Sequence, residues 1–202
     1  MKKIILSIVF SLFYFISISQ VSNKDRKYTF DLNKSVIKWV ISQGEDEFTG
    51  TLRLKEGGYI LMDDTILSQV VVFVDSRSIT CVKCGNAEDA KKFIDFIKSP
   101  KFLNVLNMDY AVFKMFKQEV LTDSKEGNFN VEGRLSIKGF SNNVRFPIFL
   151  EIKKEKIMAT GTIPINRLLW DLKDPVEEDG KLIYHMDGMV KLYFKVEGTE
   201  VN

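Results

Sequence analysis

Cys81-Val82-Lys83-Cys84 is the residue spacing in this chain with the greatest capacity for chemistry. A Cys-x-x-Cys just ahead of a helix sets its first sulfur near the helix N-terminus, where the dipole favours a thiolate. Thiol–disulfide enzymes carry that motif within a βαβ unit, whereas the residues around this pair alternate as antiparallel strands do. A c-type haem would need His after the second cysteine, and Gly85 stands there. With two cysteines in the chain, a zinc site would have to borrow ligands or bridge subunits. Two readings stay open for Cys81 and Cys84: a local disulfide closing a turn, and a redox-active pair.

The other chemical residues form no constellation. His185 is the one histidine, far in sequence from both cysteines and from any Gly-x-Ser-x-Gly nucleophile signature. Asp63-Asp64 and Glu177-Glu178-Asp179 fall in expected turns, where carboxylates are solvated and lack the enclosure that splits a catalytic pair. Asp171, Asp174 and Glu178 could face a calcium ion, but their spacing follows no EF-hand pattern. Gly57-Gly58 belongs to no phosphate-binding glycine motif. The sequence therefore predicts no catalytic residues, no metal site and no cofactor.

The elements that would position any site read mostly with a period of two, the mark of strands with one buried face. Ile37, Trp39 and Ile41 share a face, as do Phe48, Leu52 and Leu54. Gly57-Gly58 is read as a turn, with Ile60 and Met62 on the return strand. Gln69 to Val74 is apolar on both faces, and the strand around Val112 to Phe116 has no clear polar face, so Val72 and Phe113 cannot be assigned a side. Phe129, Val131, Leu135 and Ile137 point one way after a turn at Lys125-Glu126-Gly127-Asn128. Gly139 to Asn143 breaks the pattern, and Val144, Phe146, Ile148 and Leu150 resume it. Ile157, Ala159, Gly161, Ile163 and Ile165 repeat the rule, followed by Val190, Leu192, Phe194 and Val196. Pro147 and Pro164 predict edges or bulges. One segment differs: Ala90, Phe93, Ile94 and Ile97 recur at helical spacing, predicting a helix over Ala87–Lys98 with Asn86 as N-cap and Pro100 just beyond. An acidic loop is expected over 171–181.

These elements fit a mainly β chain, an extended antiparallel barrel or sandwich of about eight strands with one inserted helix. Barrels of that size either fill their interior or hold one small ligand. Strand parity marks Trp39, Phe48, Leu52, Phe129, Leu135, Phe146, Ile148 and Leu192 as candidate interior residues. A packed core and a tunnel for an acyl or isoprenoid chain call on the same residue types.

The N-terminus and the charge narrow the setting. Lys2-Lys3, the apolar run Ile4 to Ile16 and the small residues Ser17 and Ser19 have the order of a secretory signal peptide, expected to span 1–19 and end before Gln20. Residues 20–202 are then expected to form one exported domain, periplasmic or secreted, without stable membrane insertion. Losing Lys2 and Lys3 brings 29 basic residues to 27, equal to the 27 acidic ones. A neutral chain offers no footprint for nucleic acid.

Ordered motifs then resemble the YceI-like family of lipid-binding proteins. They begin with Tyr28-Thr29-Phe30-Asp31 through Ser35 to Trp39, then Phe48-Thr49-Gly50-Thr51-Leu52 and Asp75-Ser76-Arg77-Ser78-Ile79. Ser99 to Val105 with Tyr110 to Phe113 resembles the segment after the family's helix, and Val131 to Gly139 is the strongest match. Gly161 to Arg167 with Trp170 resembles its closing Arg–aromatic motif. The resemblance implies a lipocalin-like barrel with a hydrophobic tunnel for a polyisoprenoid or other amphiphile, binding or carrying it without catalysis. It implies Arg167 at the tunnel mouth, pairing a phosphate or carboxylate head, or else forming an ion pair across the barrel. Two features depart from the family: no His lies near Phe48, and the Cys81–Cys84 segment replaces an Arg-Asp pair before the helix. A thiol–disulfide exchange protein, a packed envelope interaction module and a homodimer stay open as alternatives.

Overall fold

Alternation of apolar and polar residues is realised, among the described residues, as nine antiparallel strands that close on themselves. The structure is a computed structural model that describes residues 25–174 and 186–201. In chain order the elements are β1 (Arg26–Phe30), β2 (Val36–Gln43), β3 (Asp46–Asp63), β4 (Ile66–Lys83), α1 (Ala87–Lys98), β5 (Tyr110–Val120), β6 (Phe129–Ile137), β7 (Phe140–Lys153), β8 (Lys156–Asn166), a 3₁₀ turn (Arg167–Trp170) and β9 (Met189–Val201). His185, the carboxylates Glu177, Glu178 and Asp179, most of the acidic loop and the expected signal segment lie outside the described residues.

Neighbours in sequence pair in space from β2 round to β9, and β9 returns to β2. β1 and β2 share one position in this ring. β2 lies between Asp46–Leu52 of β3 and Val190–Lys195 of β9, and β1 takes over between Tyr59–Met62 and Gly198–Val201 of the same two strands. The closed structure is thus an eight-position antiparallel barrel with one helix, the mainly β architecture that the alternation predicts. Between β1 and β2 the chain turns at Asp31–Ser35. Asp31 Oδ1 accepts from Asn33 N at 3.1 Å, and buried Ser35 bridges to Glu197, its Oγ donating to the carbonyl at 3.3 Å.

Two sequence expectations are corrected by backbone geometry. Gly57-Gly58 is not a turn: β3 continues through it to Asp63, and the register with β4 shifts between Lys55 and Tyr59. The glycines form a bulge, with Gly57 at φ +94 and a Cβ on Gly58 set to meet the Phe30 ring and Val71 O at 2.9 Å. The hairpin loop comes at Asp64-Thr65, between the paired residues Asp63 and Ile66. Similarly, Gly139 to Asn143 does not interrupt a strand. Lys138-Gly139 is a two-residue loop with φ 52 and 82, and β7 begins at Phe140; positive φ at both positions matches the strand twist. Pro147 and Pro164 stand on local edges, as their type predicts: each lies just beyond the β7–β8 ladder, which covers Ile148–Lys153 and Lys156–Gly161, and pairs on one side only. Past those prolines the two strands part, and the 3₁₀ turn lies against β7 there, with Asn142 Nδ2 donating to Leu169 O at 2.8 Å.

The helix forms where its spacing predicts. Asn86 Oδ1 accepts from Glu88 N and Asp89 N at 2.9 and 3.0 Å, the N-cap arrangement. Its apolar side, Phe93 and Ile97, is buried over one end of the barrel.

Candidate ligand-binding site

Inward-facing side chains enclose two apolar cavities stacked along the barrel. The upper one, about 130 Å³, lies beneath α1 and is walled by Trp39, Ile41, Leu52, Phe93, Ile97 and Ile165 among others. The lower one, about 100 Å³, is walled by Ile60, Val70, Val72, Phe113, Phe146, Ile148 and Phe194 among others. Ile37, Val74, Leu135 and Leu192 belong to both walls and form a waist between them. Each cavity approaches the roughly 150 Å³ that is enough to admit a benzene ring in a protein core.

Seven of the nine candidates line this space: Trp39, Leu52 and Arg167 above, Phe146 and Ile148 below, Leu135 and Leu192 at the waist. Phe48 and Phe129 do not. Phe48 is half-buried and edge-on to Phe93, ring centroids 4.9 Å apart, so it braces the helix. Phe129 is buried but off the cavity wall. Strand parity fixes which face a side chain takes, not its height along the barrel. Val72 and Phe113, which parity could not place, both face the lower cavity.

Among the described residues the upper wall carries two polar side chains, Ser76 and Arg167. Arg167 is 2% exposed, and its guanidinium is already committed. Nε donates to Asp187 O at 2.9 Å, Nη1 to Leu172 O, and Nη2 to Met186 O at 2.7 Å and Asp174 Oδ2 at 2.8 Å. Rather than waiting at the mouth for an anionic head, Arg167 clamps the segments on either side of residues 175–185, while its stem packs on the cavity. The ion pair it makes is local, to Asp174 seven residues along the chain, and not across the barrel. Trp170 beside it is buried, and its Nε1 donates to Leu135 O at 2.9 Å. Of the acidic trio read as a candidate calcium loop, Asp174 is thus paired with Arg167 and Asp171 with Lys173 at 2.6 Å; Glu178 lies outside the described residues. The hydrogen bond from Lys173 holds the Asp171 carboxyl below the usual range. Among the described residues no three His, Cys, Asp or Glu side chains converge as metal ligands.

At the opposite end the barrel is stoppered. Tyr28 and Met62 are fully buried, and Arg26 lies over the Tyr28 ring, 5.2 Å from its centroid, while its Nε donates to Glu200 at 3.0 Å. Burial pushes the Tyr28 hydroxyl up in pKa, against the opposing pull of Arg26.

Cys81 and Cys84 are joined in a disulfide with Cα atoms 6.1 Å apart. It ties the end of β4 to the approach of α1. Cys84 is 4% exposed, and Glu88 and Asp89 occupy the first helical turn, where their charge disfavours a thiolate. Both features weigh for the structural disulfide over the exchange reading.

The described residues form a closed antiparallel barrel with one helix around an apolar interior. The family model for the YceI-like domain matches residues 28–197, and the chain belongs to that family. Two solved structures share the fold. BcnA of Burkholderia cenocepacia is 18% identical with a TM-score of 0.59, over 84% of this chain and 99% of that one. A polyisoprenoid binding domain from Saccharophagus degradans, implicated in plant cell wall breakdown, is 11% identical with a TM-score of 0.57, over 86% and 98%. No curated protein sequence matches the chain.

Proposed function

We propose that this protein binds a long apolar, isoprenoid-type molecule inside the barrel and carries it outside the cytoplasm, performing no chemistry on it. The observation that carries this reading is the stacked pair of apolar cavities joined at a waist of four aliphatic side chains. Each methylene moved from water into such a space gains about 0.8 kcal/mol, so affinity grows with chain length until the space is filled. The fold shared with the polyisoprenoid binding domain supports the ligand class. The signal-peptide order of residues 1–19 supports export, to the periplasm or beyond, of one domain spanning 20–202.

Native mass spectrometry with lipid extraction, on protein recovered from its exported location, tests the reading. An acyl or isoprenoid chain at fixed stoichiometry, on a polypeptide beginning at Gln20, is the expected result. A ligand-free mass that refuses added isoprenoids would instead leave a packed barrel serving as an interaction module. Phe146 gives a second test. Its ring packs against Phe113 and Phe194, centroids 5.4 and 6.0 Å away, on the wall of the lower cavity. Phe146→Glu puts an unpaired charge into that space and should abolish uptake. Undiminished uptake by a folded variant would remove Phe146 from the site.

A further inference from the structure

Helix α1 covers the upper cavity unevenly. Its second half is packed down: Phe93 and Ile97 are buried and line the cavity, and the Phe93 ring lies 6.2 Å from Trp39 and edge-on to Phe48. Its first half is not. Over residues 87–92 Ala90 is half-buried and the other five are exposed. Polar side chains there bond within the helix and its cap: Asn86 to Asp89 at 2.8 Å, Lys92 to Glu88 at 2.8 Å and Lys91 to Asp95 at 2.7 Å.

Among the described residues, what fastens this first half to the barrel is the disulfide at its base. Cys81 sits in the β3–β4 ladder opposite Gly50, one residue past Thr80, whose carbonyl accepts from Trp39 Nε1 at 3.1 Å. Cys84 is buried in the same apolar cluster as Phe93 and leads through Gly85 to the Asn86 cap. The two sulfurs thus pin the start of the helix to the crossing that carries the cavity wall. The loop between them faces solvent: Val82 is 75% exposed, Lys83 is exposed and Cys81 is half-buried. With that bond broken, Cys84 is free to leave the core with residues 85–92, and the helix can hinge ahead of Phe93.

We propose that α1 is the lid of the upper cavity and Cys81–Cys84 its redox clasp, closed as the disulfide and opened by a dithiol reductant. The step is thiol–disulfide exchange. A thiolate of the dithiol attacks Cys81 Sγ, the more accessible sulfur. The Cys81–Cys84 bond breaks, and Cys84 leaves with the electron pair and takes a proton. The dithiol's second sulfur then displaces Cys81, which is protonated in turn, and the reductant departs as its own disulfide, two electrons poorer. The pair catalyses nothing in this role, in keeping with the acidic first turn that disfavours a thiolate there. The inference rests on the binding function proposed above.

The test follows release of N-phenyl-1-naphthylamine, an apolar fluorophore, into phosphatidylcholine vesicles. Three samples are compared: the oxidised exported protein, the same protein after dithiothreitol, and Cys81→Ala/Cys84→Ala. Release should be about ten-fold faster from the reduced protein and the variant, the order by which cross-linking so short a loop suppresses opening. Amide hydrogen exchange on the same samples should rise over residues 85–92 and stay unchanged in β7 and β8. Equal release from all three forms, or a disulfide that dithiothreitol does not open in the folded protein, would overturn the clasp and leave the carrier reading intact. So would faster release with protection lost throughout β7 and β8, the mark of a disulfide that holds the whole fold. If the fluorophore binds none of the three forms, the clasp and the carrier reading fall together.

Discussion

Tyr28 and Arg167 are both fully interior, yet they stand in opposite electrostatic situations. Tyr28 is 0% exposed and its hydroxyl has no hydrogen-bond partner among the described residues. Removing an orphaned buried hydroxyl recovers its desolvation cost, so Tyr28→Phe should raise stability by about 1 kcal/mol, read as a higher denaturation midpoint. The same residue sets an alkaline limit. Burial raises its folded-state pKa above the unfolded value near 10, so the unfolded chain releases its proton first. Its contribution is complete below that pH and lost as pH climbs toward the folded pKa. Tyr28→Phe should flatten that alkaline decline, and a decline of unchanged slope would exclude Tyr28 as its source. Arg167 is the reverse case, a charge whose partners surround it. Arg167→Lys keeps the charge but loses the planar fork serving Leu172 O, Met186 O, Asp187 O and Asp174. The expected cost is about 3–5 kcal/mol in a urea titration. Undiminished stability with a selective loss of affinity for anionic lipids would restore the headgroup role that the sequence resemblance implies.

The longest elements, β3 and β4, hold the upper wall together at one crowded crossing. Trp39 Nε1 donates to Thr80 O at 3.1 Å, and Gly50 lies directly against that contact. A Cβ at Gly50 would stand 1.8 Å from Thr80 O and 2.5 Å from the Trp39 ring, too close for either strand to accommodate in place. Gly50→Ala should cost about 3 kcal/mol, the upper part of the range for overpacking, and should shift Trp39 emission as its ring leaves the wall. A variant of wild-type stability and emission would mean that the strands slide apart freely here. This crossing also shows how far an element can be read from sequence. Helix α1 was legible to the residue because its cap, its period and its following proline agree. The β3–β4 hairpin was not. Gly-Gly marks a turn and a bulge alike, and only pairing with a third segment, here Phe30 and Val71, decides between them. Ser76 escaped for a related reason. Val71, Phe73, Asp75 and Val70, Val72, Val74, Ser76 are each apolar runs ending in a polar residue, so parity alone cannot say which of them faces inward.

At the scale of the whole barrel, the eight strand positions and the apolar interior follow from alternation, whereas the division of that interior does not. Leu135, Leu192, Ile37 and Val74 come from four different strands, and their meeting at one level depends on strand stagger, which periodicity does not encode. Their meeting has a consequence for ligand length. A short chain can occupy one cavity, but a long one must thread the waist and displace these side chains against the stoppered lower end. Leu192→Trp fills the waist. It should leave binding of a short isoprenol such as geraniol nearly unchanged while sharply weakening binding of a long one such as solanesol. Leu135→Ala acts in the opposite sense. It should lower ligand-free stability by about 2–5 kcal/mol through the enlarged void, and a saturating long chain should recover part of that loss by occupying it. Calorimetric melting with and without solanesol measures both effects. If Leu192→Trp binds geraniol and solanesol in the wild-type ratio, long chains do not pass through the waist, and the two cavities serve separate ligands.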